Sequence, residues 1–221
     1  LIEAPGYESD DLLGALAKQF SSQQLSTYIM SGDLDLLQLV NDYTVIVTNK
    51  KGVSNYVLYN EEQVSDRYAL APDQIIDFKA LKGDASDNIP GVKGVGEKTA
   101  VSLLSDYQTL DGIYAHLDEI KSKSVVSKLT EHKEMAYLSK QLVTINQDAP
   151  ADVSLEQLAW APDYTAVLNL FQQYQFKSLI TKVTDMSGES LVALDDLAAG
   201  RLEGAYYLPT TYQIIDNEPY L

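Results

Sequence analysis

Seven carboxylates stand in three tight groups along the chain: Glu8, Asp10 and Asp11, then Asp33 and Asp35, then Asp84 and Asp87. Acids this close repel one another if dry, and a hard divalent cation with oxygen ligands relieves that repulsion. Two Mg²⁺ (or Mn²⁺) ions ~3.5 to 4 Å apart would activate a water and stabilise the leaving oxygen of a phosphodiester. Such a site needs acids and almost no histidine or cysteine. The chain has His116, His132 and no cysteine, which excludes disulfides, thiolate metal sites and a cysteine nucleophile, and disfavours zinc. Each group alone also reads as ordinary local structure, since acids cap helices, complement their dipoles and sit in turns. Their joint occurrence points to the metal site.

A second motif follows the third acidic group. Gly91-Val-Lys-Gly-Val-Gly-Glu-Lys-Thr-Ala100 lies between one helix ending near Lys82 and another running from about Lys98 to Leu104. It misses the Walker A spelling by one residue, because Glu97 separates Gly96 from Lys98, and Asp87-Asn-Ile-Pro90 rather than a strand precedes it. The pattern reads instead as a helix-hairpin-helix. Its glycines admit a phosphate to the backbone, and the second helix's N-terminal amides, with Lys93 and Lys98, hold that phosphate without reading sequence. The alternative is a packing turn between two helices.

The elements that must position these groups alternate at first. A helix is expected from near Asp10 with Leu12, Leu13, Leu16, Ala17 and Phe20 on its apolar face, then a buried strand from Leu25 to Met30. A helix carrying Leu36, Leu37, Leu39 and Val40 follows, then strands Thr44–Thr48 and Tyr56–Tyr59 about a hairpin at Asn49–Gly52. Asp33 and Asp35 come directly after a strand, at the crevice where open α/β sheets place functional groups. From Glu61 to about Gln141 the pattern is helical, including Glu61–Tyr68 and Asp73–Leu81; a short strand Leu142–Ile145 and a helix Asp163–Tyr174 follow, with Trp160 and Phe171 as core. Thr184–Ser190 reads as a linker, and Gly204–Leu208 as one strand of a further domain. The domains are therefore 1–60 (α/β), 61–182 (helical) and 183–221 (linker and the start of a further domain).

Sixteen basic against 32 acidic residues give a net charge of −16, which repels polyanions at long range. The charge is uneven: residues 183–221 hold seven acids and only Arg201 as a base, while Lys79, Lys82, Lys93 and Lys98 outnumber Asp84, Asp87 and Glu97 between 79 and 98. A basic island thus sits beside acids that divalent ions could neutralise. No apolar run approaches the ~20 residues that span a bilayer, and Leu1-Ile-Glu-Ala-Pro-Gly6 resembles no signal peptide. The expected setting is cytoplasmic, with no membrane partner.

Pro5-Gly-Tyr-Glu-Ser-Asp-Asp11, Ser31-Gly-Asp-Leu-Asp-Leu36 and Gly83-Asp-Ala-Ser-Asp-Asn-Ile-Pro-Gly-Val-Lys-Gly-Val-Gly-Glu-Lys-Thr99 together resemble the 5′-nuclease domain of bacterial DNA polymerase I. The resemblance covers roughly residues 1–182, and the remainder resembles the beginning of the vestigial 3′-5′ exonuclease-like domain that follows in those polymerases. It implies an α/β, PIN-like (Rossmann-like) nuclease core followed by a helical helix-three-turn-helix region. It further implies a 5′-3′ exonuclease and flap endonuclease that removes RNA primers and displaced DNA strands with two divalent ions. By position, Glu8, Asp10, Asp11, Asp33 and Asp35 would serve the first metal group, and Asp84 and Asp87 the second. Gly91, Val92, Lys93, Gly94, Val95, Gly96, Lys98 and Thr99 would contact duplex DNA. Main-chain carbonyls of Leu81, Lys82, Pro90, Val92 and Val95 would hold a potassium ion. A polymerase domain in the same longer chain, action in replication and repair, and a monomeric state are also implied.

Family members place before this point a first sheet strand, two further metal-binding Asp residues and a helical arch, so the resemblance implies a fragment lacking its first strand. Such a fragment would cut weakly or not at all, and an unpaired sheet edge would favour association. Asp216-Asn-Glu218 spells a proofreading D-x-E, but beside Pro219 it reads as chance. Two other readings stand beside the nuclease: a fragment that binds duplex DNA without cutting it, and an unrelated acidic protein that binds divalent ions.

Overall fold

The structure is a computed structural model that describes residues 1–49, 56–151 and 153–187, with side chains to residue 184. The Asn49–Gly52 turn beyond Asn49, the linker beyond Ser187, the Gly204–Leu208 strand and Asp216-Asn-Glu218 lie outside the described residues. Residues 1–152 form one compact unit, and the chain from Val153 onward forms a second.

The first unit begins with helix α1 (Ser9–Ser22), which buries Leu12, Ala17 and Phe20 along one stripe. Strand β1 (Thr27–Met30) pairs in parallel with β2 (Thr44–Asn49), and β2 pairs antiparallel with β3 (Tyr56–Tyr59), giving the order β1-β2-β3. Ile29, Ile46 and Tyr59 stand in one cross-strand row and pack with Leu36, Leu37, Leu39, Val40, Val64, Ile75 and Ile145. On the next row, Met30 and Leu58 flank buried Val47 but are themselves exposed, as is Tyr28. β1 is therefore covered on one face only, which corrects the expectation of a fully buried strand. Between β1 and β2, residues Leu34–Leu39 form a tight 3₁₀ helix rather than an α-helix. Its four consecutive buried residues, Leu36 to Leu39, surround too much of the axis for a one-sided α-helical stripe.

After β3 the described chain is helical: α2 (Glu61–Tyr68), α3 (Gln74–Lys82), α4 (Glu97–Tyr107), α5 (Leu110–Ala115), α6 (Lys123–Glu131) and α7 (Lys133–Val143). Asn60 and Gln63 close a capping box at the start of α2, which is why the chain turns helical there. A second core joins Phe78, Ala80 and Leu81 of α3 to Val92, Val95, Leu103, Leu104, Leu110, Ile113, Leu129 and Ala136. Helix α3 feeds both cores, Ile75 into the first and Phe78 into the second. Buried Asp77, between them, accepts from the Leu110 amide at 2.8 Å and meets Lys140 Nζ at 2.7 Å, tying α3 to α5 and α7.

The strand expected at Leu142–Ile145 is absent: Leu142 and Val143 end α7, and Thr144 follows as its extended cap. Gln38 ties this segment to the sheet core, donating to Val143 O at 2.9 Å and accepting from Ile145 N at 3.0 Å. In the second unit, α8 (Tyr164–Gln173) and α9 (Lys177–Ser187) pack together, with Phe171, Tyr174 and Phe176 in ring contact. Trp160 is 64% exposed and Phe171 only partly buried, so neither is the core residue expected. The expected linker from Thr184 is helical as far as Ser187. Among the described residues no helix is long and apolar enough to cross a membrane.

Gln38→Leu keeps side-chain volume but strands the Ile145 amide and Val143 carbonyl. Urea unfolding should show stability reduced by about 2 kcal/mol; an unchanged midpoint would show that the Gln38 bonds contribute nothing net.

Candidate metal centre and hairpin

The site lies where α3 meets the 3₁₀ segment. Asp33 caps that segment, its Oδ1 accepting from Asp35 N at 2.9 Å, while Ser31 Oγ accepts from Asp33 N at 3.1 Å. Asp33 thus does the capping work that its sequence position also suggested, which leaves the Asp35 side chain to project elsewhere. It meets Asp84 and Asp87: carboxylate oxygens of these three residues lie within 4.8 Å of one another. All three line a cleft of about 570 Å³ with Asp33, Arg67, Tyr68, Lys79 and Lys82.

Lys79, one turn from the end of α3, reaches into this acidic group. Its ammonium contacts Asp35 Oδ1 and lies 2.9 Å from Asp84 Oδ2, with only 12% of its side chain exposed. It occupies a cation's position between two of the acids. The Ser86 hydroxyl, and then Lys79, hold the Asp84 carboxyl down at about 2, against the opposing effect of partial burial. Asp10 is shifted the other way: partial burial raises its pKa, and Asp33, Asp11 and Asp87 raise it further, while the Ser9 hydroxyl opposes them. Asp10 therefore belongs electrostatically with the Asp33 and Asp87 segments. Glu8 and Asp11 are engaged locally in a capping box at α1, with Glu8 N donating to Asp11 Oδ2 at 3.2 Å. Asp11 Oδ1 also accepts from the distant Asn146 amide at 2.8 Å. Neither Glu8 nor Asp11 lines the cleft.

The loop from α3 into the hairpin doubles back on itself. Asp84 and Ile89 exchange backbone bonds, Asp84 N to Ile89 O at 2.9 Å and Ile89 N to Asp84 O at 2.7 Å. Val92 N then returns to Leu81 O at 2.8 Å, so Gly83 and Gly91 cross at backbone contact. A Cβ on Gly91 would stand 2.3 Å from Gly83 N, and both glycines have positive φ. Leu81, Lys82, Pro90 and Val92 gather around this crossing, and Val92 O also accepts from Val95 N at 2.9 Å. Buried Ser139 of α7 accepts the Gly91 amide at 3.0 Å.

Beyond the crossing, Val92 and Val95 are buried while Lys93, Gly94, Gly96 and Lys98 are exposed and Thr99 is half-buried. The two valine side chains anchor the hairpin in the core. Gly96 caps α4 without a side-chain hydrogen bond, so first-turn amides lack a side-chain partner. Lys128 Nζ donates to Gly94 O at 2.8 Å, adding a third lysine at this face.

In the sequence Lys79 reads only as part of a basic island, and Ser86, Gln38, Asp77, Arg67, Lys128 and Ser139 carry no assigned role. A serine two residues after Asp84 is a readable turn signal. The contacts of Gln38 and Ser139, 105 and 48 residues from their partners, leave no local trace.

Residues 1–69 match the family model described as the 5′-3′ exonuclease N-terminal resolvase-like domain, and residues 70–166 match that of the 5′-3′ exonuclease C-terminal SAM fold. The chain belongs to the 5′-3′ exonuclease family. DNA polymerase I of Bacillus caldotenax is 41% identical over 197 residues, which is 89% of this chain and 22% of that protein. DNA polymerase I of Chloroflexus aurantiacus is 45% identical over 177 residues, covering 78% of this chain and 19% of that protein. The chain thus spans about a fifth of the length of these relatives. Among solved structures, T5 5′-exonuclease with bound zinc aligns with TM-score 0.58 and 22% identity, over 71% of this chain and 58% of that one. The bacteriophage T5 flap endonuclease in a pseudo-enzyme-product complex with DNA and metal ions aligns with TM-score 0.58 and 18% identity, over 83% and 62%. These two show the fold: the family's α/β, resolvase-like part followed by its helical part.

Two outcomes test this geometry. Asp84 has a depressed folded-state pKa, so its contribution is complete above the ordinary value of 3.8 and is lost as pH falls toward about 2. Ser86→Ala should therefore flatten the acid limb of stability between about pH 4 and 2; an acid limb identical to the parent's would count against the Ser86 bond. Gly91→Ala should lower the thermal midpoint far more than Gly96→Ala, whose added Cβ meets nothing within 4 Å; equal midpoints would contradict the backbone crossing.

Proposed function

We propose that this chain is the part of a DNA polymerase I 5′-nuclease that holds divalent ions and grips duplex DNA, hydrolysing phosphodiesters of DNA flaps and RNA primers in replication and repair. The observation that carries this reading is the meeting of Asp35, Asp84 and Asp87 in one cleft beside an exposed lysine-bearing hairpin. An all-oxygen donor set fits Mg²⁺ or Mn²⁺, and the Lys79 ammonium among these acids supports a cation's place there. Two bound ions would supply Lewis acidity and an activated water to the scissile phosphate.

The chain's own residues divide the rest of the work. Asp35, Asp84 and Asp87 form the inner ligand group, Asp10 and Asp33 the adjoining one, and Glu8 and Asp11 orient α1. Lys79 holds Asp35 and Asp84 converging and helps keep Asp84 ionised. Amides of Gly94, Gly96 and the first turn of α4, with Lys93, Lys98 and Thr99, take phosphates of the duplex, while Val92 and Val95 fasten the hairpin to the core. Carbonyls of Leu81, Lys82, Pro90, Val92 and Val95 are the candidate potassium ligands. A polymerase domain in a longer polypeptide, a monomeric state and a cytoplasmic setting complete the reading.

The test is 5′-flap cleavage in Mg²⁺ beside duplex binding in Ca²⁺, in a polypeptide carrying this chain with the sequence its family places before it. Asp84→Asn should lower kcat/KM by at least about 100-fold while duplex affinity stays within a small factor, because metal-held charge acts on the transition state more than on the bound ground state. Lys98→Ala should instead flatten the log-log salt dependence of binding by about one unit. Near-normal turnover by Asp84→Asn at saturating Mg²⁺ would overturn the metal assignment, and binding without cleavage by the parent would leave only a duplex binder.

A further inference from the structure

Three cations line the cleft, and they are not equivalent. Lys79 is taken up by Asp35 and Asp84. Lys82 stands 3.6 Å from Glu97 Oε2 and 5.2 Å from the Phe78 ring centroid. Arg67, in the last turn of α2, pairs with no carboxylate among the described residues, although the chain carries 32 acids and four of them, Asp33, Asp35, Asp84 and Asp87, line the same cleft. It is kept from them by aromatic contacts. One Arg67 nitrogen donates to the Tyr59 hydroxyl, and the guanidinium carbon lies 5.5 Å from the Tyr59 ring centroid and 5.2 Å from that of Tyr68. Tyr59 is itself a core residue, 5% exposed, so the clamp is anchored in the sheet.

A guanidinium held this way is ordered before any ligand arrives. The rings of Tyr59 and Tyr68 flank it and the Tyr59 bond uses one of its five N–H donors, leaving others in the fork geometry that suits a phosphate. The carboxylates across the cleft repel an anion, so one with no cation bridging it to the site would not enter. Arg67 supplies attraction at the point where Lys79 and Lys82 are already engaged with acids.

We propose that Arg67 is a phosphate-binding residue of the cleft, taking a phosphodiester of the strand next to the one presented to Asp35, Asp84 and Asp87. This rests on the nuclease reading and deepens it by adding a substrate contact on the cleft wall, separate from the hairpin. A clamped arginine at this position sets the register of the strand over the acids.

The experiment compares the chain with Arg67→Gln and Arg67→Lys. It reads affinity for a 5′-flap duplex in Ca²⁺ across a KCl series, the thermal midpoint, and the Arg67 Nε–H resonance of the parent during titration with inorganic phosphate. Arg67→Gln should bind about tenfold more weakly, with a salt slope shallower by about one unit. Arg67→Lys should keep the parent's slope and recover part of the affinity. The parent's Arg67 resonance should shift saturably with phosphate and not with chloride at equal ionic strength. Affinity and slope equal to the parent's in Arg67→Gln would overturn the proposal. So would a lowered thermal midpoint with an unchanged slope, which would make Arg67 a support for Tyr59 only. A parent that binds no flap while its Arg67 resonance still responds to phosphate would strike the nuclease reading and retain the anion site; silence in both would overturn both.

Discussion

The backbone crossing at Gly83 and Gly91 is the constraint on which the rest of the site depends. On one side of it stand Asp84 and Asp87, in a loop closed by the paired Asp84 and Ile89 backbones; on the other begins the hairpin that ends in α4. Because Val92 returns to Leu81, the acids and the exposed lysines belong to one rigid piece and cannot drift independently. Any side chain at Gly91 would push these backbones apart, since the space is occupied by Gly83 itself. Ser139 holds the crossing from behind through the Gly91 amide, and it does so from α7, the helix that also carries Lys140 to Asp77.

Helix α3 extends this rigidity to the sheet. It contributes Ile75 to the core under β1–β3 and Phe78 to the helical core, so it moves with both or with neither. Lys79 points from this shared helix into the acids, which makes its ammonium an internal reference for where Asp35 and Asp84 converge. The overall charge of −16 would otherwise oppose every approach of a polyanion. Local cations change that balance at the cleft and at the hairpin.

What was legible in the sequence follows from range. The amphipathic stripe of α1, the glycine spacing of the hairpin and the acids after β1 are written within a few residues, and the structure has each of them. The division of labour among the acids was not readable, because Asp11 is committed by an amide 135 residues away. Leu142–Ile145, expected as a strand, takes its conformation from α7 and the Gln38 side chain. Trp160, expected in the core, is exposed in the second unit.

The contrast between Asp84 and Asp10 explains why acids this close can coexist in one folded chain. Asp84 has a hydroxyl and an ammonium directed at it, so its charged form is stabilised within the protein's own structure. Asp10 is partly buried and has three acidic neighbours against one opposing hydroxyl, and its proton is held more tightly as a result. Repulsion is thus concentrated on the Asp10 side and relieved on the Asp84 side. The asymmetry is set on the Asp84 side by one serine and one lysine, and on the Asp10 side by partial burial among other acids.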